Sequence, residues 1–206
     1  MSSYSEGQVH QLADAMEGVG FTAKHLTRLG QSSALLENLR LVLDGVAKIK
    51  PIDHMVDLSI PCKLPFNGAE RVSPVKSGVV KLEKRDDDLY LDGVKVDLFL
   101  SENQKAGSTI IGHNLRKELE ARGGNISAKV LDHLVEHPEL WPESWKKDTQ
   151  GNTIYVFFWD DIFRDSLSSL CVRFGCWDGG RVVSGYDWLG CVWDGYSPAA
   201  FLASST

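Results

Sequence analysis

The sequence predicts an α+β fold on three observations. Apolar residues recur at helical spacing over residues 9–46 and again over 112–137, one strand pattern at 94–100 precedes the second helical stretch, and strand patterns fill the chain from Thr153 onward. Helices segregated from strands, rather than alternating with them, indicate α+β and not a parallel α/β sheet.

Taken in order, "VHQLADAMEGV", "TAKHLTRLG" and "SALLENLRLVLDGV" read as three helices of a small N-terminal region, 1–48. Leu35, Leu36, Leu39, Leu43 and Val46 fall on one face of a helix begun at Ser32 or Ser33, a face suited to packing on a partner or on the rest of the chain. Residues 49–78 carry Pro51, Pro61, Pro65 and Pro74 and are expected to form a linker or irregular wrap. A main domain over 79–206 follows. Short strands flank the Asp86-Asp87-Asp88 run, which lacks the spaced oxygens of a calcium loop and reads as a solvated hairpin turn; the last strand of this group covers Val94 to Leu100. "GHNLRKELEAR" stops at Gly123-Gly124, and "SAKVLDHLVEH" starts at Ser127 and stops before Pro138. "NTIYVFFWDDIFRD", "SLCVRFGCW", "RVVSGYDWLG" and "PAAFLAS" are the closing strands.

Composition narrows the function. A chain with 43% hydrophobic residues can bury a core, and a net charge of −6 with a pI near 5.5 argues against nucleic acid as partner, since that needs a concentrated basic face. No Sec signal is read at the N-terminus and no run reaches membrane-spanning length, so membrane insertion is not expected and a cytoplasmic or virion-associated protein is. Cys62, Cys171, Cys176 and Cys191 are too few and too unevenly spaced for a disulfide scaffold and are read as reduced thiols.

The enzyme-like motif is "HLVEH". His133 and His137 lie one turn apart with Glu136 between them, the inverted zinc-peptidase pattern H-x-x-E-H. Such a zinc needs a third protein ligand, and the last glutamates, Glu139 and Glu143, are nearly adjacent instead of well downstream. The expectation is therefore ordinary helix-end histidines, no metal and no cofactor. A metal-dependent hydrolase on these residues is the alternative, and an interaction adaptor working through the N-terminal helices is a third reading. Phosphate-loop, dinucleotide and nucleophile-elbow motifs are absent, so no enzyme is expected.

The most informative stretch is "RFGCWDGGRVVSGYDWLGCVWDGYSPAA", Arg173 to Ala200. The last Glu, Lys, Gln and Met of the chain are Glu143, Lys147, Gln150 and Met55, and every later residue from Arg173 except Trp has a codon ending in C. Randomising the adenines of AAC codons reaches Phe, Gly, Cys, Asp, Arg, Val, Ser, Tyr and Leu, but not Lys, Glu, Gln, Met or Trp. Trp, written TGG, holds no adenine and would persist as scaffold.

In this the stretch resembles the variable region of a diversity-generating retroelement target protein. The wider chain from Gly20 is similar to an uncharacterised bacterial and archaeal family through "GFTAKHLTRLGQ", "LFLSENQ", "VLDHLVEHPELWPESWK" and "VFFWDDIFRDS". The resemblance implies a C-type lectin-like domain: a first strand, two helices, then strands of which the last, near Ala200 to Ala203, returns beside the first. It also implies a non-catalytic, hypervariable binding protein for a protein or surface ligand, with the N-terminal helices as a candidate oligomerisation element. No E-P-N or Q-P-D tripeptide is present, which puts calcium-mediated sugar binding in doubt. The implied scaffold is Trp159, Trp177, Trp188 and Trp193. The implied ligand contacts, over about 173–197, are Phe174, Gly175, Cys176, Asp178, Gly179, Gly180, Arg181, Val182, Val183, Ser184, Tyr186, Asp187, Gly190, Cys191, Val192, Asp194, Gly195, Tyr196 and Ser197. Tyr186, Tyr196 and Arg181 are expected to be the strongest anchors.

Overall fold

The computed structural model describes residues 4–48 and 53–203, which divide into two compact units at the 52/53 junction. Residues 49–52 of the expected linker lie outside the described residues.

The first unit holds α1 (Glu6–Gly18), α2 (Ala23–Gly30) and α3 (Ser33–Leu43). Each starts at a hydroxyl cap. Ser5 and Gln8 form a capping box that opens α1 earlier than the apolar pattern at Val9 indicates, Thr22 does the same with His25, and Ser32 accepts from the Leu35 amide. None of the three helices buries a residue; Leu35, Leu36 and Val9 stay exposed.

The second unit is α+β, built on a nine-stranded, mostly antiparallel sheet. Its strands are β1 (His54–Asp57), β2 (Glu70–Arg71), β3 (Val79–Arg85), β4 (Asp88–Leu91), β5 (Val94–Phe99), β7 (Val156–Arg164), β8 (Leu170–Asp178), β9 (Arg181–Trp188) and β11 (Ala199–Leu202). The order is β1-β3-β4-β5-β11-β7-β8-β9, with β2 against the far end of β7. A small second sheet pairs β6 (Ile110–Ile111) with β10 (Val192–Trp193). The irregular wrap expected over 49–78 is corrected from residue 53 on: β1 and β2 hydrogen-bond into the sheet, and Val56 and Cys62 are core residues. Four prolines hid two strands too short for a pattern to register. The Asp86-Asp87 hairpin turn forms as expected, but it is not merely solvated, because the Asp87 carboxylate accepts from the amides of Glu143 (2.5 Å) and Ser144 (2.9 Å).

Between β5 and β7 lie α4 (Gly112–Arg122) and α5 (Ala128–Glu136), the two expected helices. The last strand returns antiparallel beside the first of the group, Ala199 opposite Phe99 and Leu202 opposite Val96. Two apolar clusters sit on opposite sides of the strands. One holds α5, Trp141, Trp145, Phe158 and Phe163; the other holds Leu115 and Leu119 of α4 with Phe157, Trp159 and Trp193. Two buried ionic groups fix α5. Asp161 pairs with Arg71 and accepts from Ser127 Oγ (2.7 Å) and the Ala128 amide (2.7 Å), capping the helix start. Asp132 pairs with Arg173 of β8 (2.8 Å) and accepts from the Lys63 amide (2.7 Å), and Arg173 also donates to the Lys63 carbonyl (2.9 Å). Each charge is matched by a partner and by backbone dipoles, which is the condition for burying it.

Candidate functional site

The segment singled out by its composition forms the β8–β9 hairpin, β10 and the loop into β11. Side chains alternate between faces along a strand, so cross-strand pairs share a face. Arg173, Gly175 and Trp177 of β8, with Val182, Ser184, Tyr186 and Trp188 of β9, face α5 and the larger cluster. Val172, Phe174 and Cys176, with Val183, Gly185 and Asp187, face the other way.

On that second face lies a cleft of about 570 Å³, lined by Asn152, Thr153, Tyr155, Phe157, Phe174, Asp187, Val192, Asp194, Tyr196 and Ser197. Its wall is aromatic: Phe174 meets Tyr155 edge-on at 5.3 Å and Phe157 at 5.1 Å between centroids. Its charge is wholly acidic, from Asp187 and Asp194. One oxygen of each is already engaged, Asp187 by the Trp188 amide (2.7 Å) and Asp194 by the Tyr196 amide (3.0 Å). Such a cleft can take an apolar group on the rings and a hydrogen-bond donor or cation on the free carboxylate oxygens.

The rim is held from beneath. Gln104, 1% exposed, donates to the carbonyls of Asp194 (2.9 Å) and Ser197 (3.0 Å), while its own oxygen accepts from the Ser101 amide (3.1 Å). The Tyr155 amide donates to the Tyr196 carbonyl at 2.9 Å. The rim backbone is thus held through the carbonyls of Asp194, Tyr196 and Ser197, with the Asp194 carboxylate adding its bond from the Tyr196 amide. Sequence reasoning missed Gln104, Asn152, Thr153, Tyr155 and Phe157; for Gln104 the signal was the Ser101–Gln104 capping box inside "LFLSENQ".

Of the expected contact residues, Phe174, Asp187, Val192, Asp194, Tyr196 and Ser197 come together at the cleft, and Val183 shares its face half-buried. Gly190, Cys191 and Gly195 are exposed in the flanking loops, and Ser184 is exposed on the opposite face. Three expectations are corrected. Gly175, Cys176 and Val182 are buried; a Cβ at Gly175 would stand 2.6 Å from Leu131 and 2.9 Å from Trp141, so that position is closed by α5. Gly179 and Gly180 form the exposed hairpin tip between Asp178 and Arg181 at φ 55° and 84°, both left-handed as a two-residue hairpin requires, and they do not line the cleft. The three expected anchors do not converge. Tyr196 is at the cleft, Arg181 is at the exposed tip, and Tyr186 lies on the opposite face against Phe66 (5.0 Å) and Trp188 (5.6 Å).

Among the scaffold tryptophans, Trp193 and Trp159 are buried and meet at 5.0 Å, with Phe157 4.2 Å from Trp193. Trp177 and Trp188 are half-buried on the larger cluster, and Lys146 Nζ sits 3.7 Å over the Trp177 ring. The four cysteines are free thiols; burial pushes Cys62 up to about 12 and Cys171 to about 11, and Cys191 alone is exposed.

A second cluster lies where α5 meets β1. His133 and His137 are not ordinary helix-end histidines, because His54, 79 residues before His133, places its Nδ1 3.2 Å from His133 Nε2 and its ring 4.8 Å from that of His137. Burial, and then the two other imidazoles, lower the pKa of His133. Glu136 turns to Lys63 Nζ at 2.9 Å.

No family profile matches the chain, and no curated protein or solved structure matches it. Among the described residues no helix is long and apolar enough to cross a membrane.

Proposed function

We propose that this protein is a hypervariable ligand-binding protein, diversified by a retroelement, that displays changing side chains on a C-type lectin scaffold and performs no catalysis. The observation that carries this reading is the lining of the cleft: six of its ten residues, Phe174, Asp187, Val192, Asp194, Tyr196 and Ser197, belong to the segment whose residues fit adenine-randomised codons. The tryptophans that such a process leaves unchanged are the buried or half-buried ones. The pairing of β5 with β11 around two intervening helices supports the lectin-type scaffold. The partner is a protein or surface ligand that offers apolar surface to Tyr155, Phe174 and Tyr196 and a donor or cation to Asp187 and Asp194. The exposed apolar residues of α1 to α3 suit the first unit to oligomerisation or to holding the protein at its site of action.

The test is genomic. The gene and several kilobases around it should hold a near-copy of the segment encoding residues 173–197, differing almost only where the copy has adenine, beside a reverse-transcriptase gene. Mismatches spread over all four bases, or no copy, would remove the reading.

A further inference from the structure

The three imidazoles at the junction of β1 and α5 carry an inference independent of the binding cleft. We propose that His54, His133 and His137 bind one zinc-class divalent transition ion, which clips the sheet-edge strand β1 to α5.

The three side chains come from two separate elements, and one ligand atom from each lies within 4.8 Å of the others. Two nitrogens bound to a tetrahedral zinc at about 2.0–2.1 Å are about 3.3 Å apart. His54 Nδ1 and His133 Nε2 are 3.2 Å apart, the spacing of two ligands on one ion. The third imidazole is stacked within ring-contact range of both, 4.8 Å from His54 and 4.4 Å from His133 between centroids, so a side-chain rotation closes the set. A carboxylate stands behind the site: Glu139 Oε1 is 3.2 Å from His137 Nδ1, which keeps the proton there and leaves Nε2 as the donor to metal.

The donor chemistry selects the ion. Three neutral imidazoles suit zinc, copper, nickel or cobalt, whereas magnesium and calcium require oxygen ligands. Three protein nitrogens leave the fourth position of a tetrahedral ion to water. Glu136, the residue that would serve as base in the H-x-x-E-H pattern, is paired to Lys63, and the site is accordingly a clip. The location fits that role. Among the described residues β1 pairs only with β3, at one edge of the sheet, and Val56 is its residue in the core. Edge strands at the start of a unit fray unless tied down.

The experiment uses the full chain, stripped by chelator and titrated with zinc ion alone against a chromophoric zinc indicator, with cobalt substitution as a spectroscopic readout. One equivalent should bind, cobalt should give the intense visible absorption of a tetrahedral site, and X-ray absorption of the zinc-loaded protein should show three imidazoles. His54→Ala, His133→Ala and His137→Ala should each weaken binding by more than tenfold, and Glu139→Gln by about tenfold through loss of the outer partner. His113→Ala, on the exposed start of α4, should bind as the unaltered protein does. Zinc should raise the melting temperature of the unaltered chain and not that of His54→Ala. Absence of a one-to-one complex, binding unchanged by His54→Ala, or a coordination shell with fewer than three imidazoles would overturn the proposal. The last reading is made on the unaltered chain, so it holds even where a variant fails to fold.

Discussion

The two faces of the β8–β9 hairpin are drawn from one continuous stretch of sequence and meet different surroundings. The face toward α5 carries Arg173, Gly175, Trp177, Val182 and Trp188, and most of it is closed by the helix and by Trp141. The face toward the cleft carries Val172 and Cys176, both buried, and Phe174, Val183, Gly185 and Asp187, all half-buried, of which Phe174 and Asp187 line the cleft together with residues 194, 196 and 197. Alternate residues of one segment are sent by the pleat to opposite faces, some packed beneath α5 and others beside the cleft.

This comparison can be broken most forcefully at Arg173. Arg173→Leu leaves Asp132 buried and uncompensated, and chemical denaturation should report a loss of about 3–5 kcal/mol. Gly175→Ala, on the same face, should cost about 1–3 kcal/mol, since the added carbon meets Leu131 and Trp141 in a packed core. At its counterpart on the cleft face, Gly185→Ala, the three atoms nearest the added carbon all belong to the ring of Phe174, a half-buried side chain that lines the cleft. This substitution should cost about 1 kcal/mol at most and shift the near-ultraviolet signal of the cleft aromatics.

The two tyrosines sharpen the comparison because their exposure is almost equal, 37% for Tyr186 and 39% for Tyr196. Tyr186→Ala removes a ring packed on Phe66 and Trp188 and should cost about 1–2 kcal/mol, while Tyr196→Ala should stay within about 0.5 kcal/mol. Equal losses would mean that exposure alone decides, and the division of faces would fall. The smallest effect is chemical. In the folded protein a thiol reagent should modify Cys191 at once and the thiols of Cys62, Cys171 and Cys176 only on unfolding, because burial holds those three out of reach and, through desolvation, protonated.

Much of the order of elements was legible in the sequence. α3 begins at Ser32 because its hydroxyl can cap, α5 begins at Ser127 and ends before Pro138, and strands stand at 94–99 and 199–202 close to where the pattern put them; that these two pair was implied only by the family resemblance. What escaped has a common cause. β1 and β2 are four and two residues long, too short for periodicity, and are made strands by their partners β3 and β7. Gln104 is polar and reads as surface until the loop above it supplies two carbonyls. His54 has no motif at all, since a search from "HLVEH" along the chain has no reason to look 79 residues back.

By itself the sequence determined the local matters: where helices start and stop, that the segment after Arg173 draws on a restricted residue set, and that its tryptophans stand apart from the rest. These depend on caps, period and codons, all of which act within a few residues. Tertiary structure alone decided which members of the segment face the cleft, that Tyr186 and Tyr196 part to opposite sides, and that His54 joins His133 and His137. Those outcomes depend on strand register and on contacts between distant parts of the chain, where a shift of one residue turns every side chain to the other face.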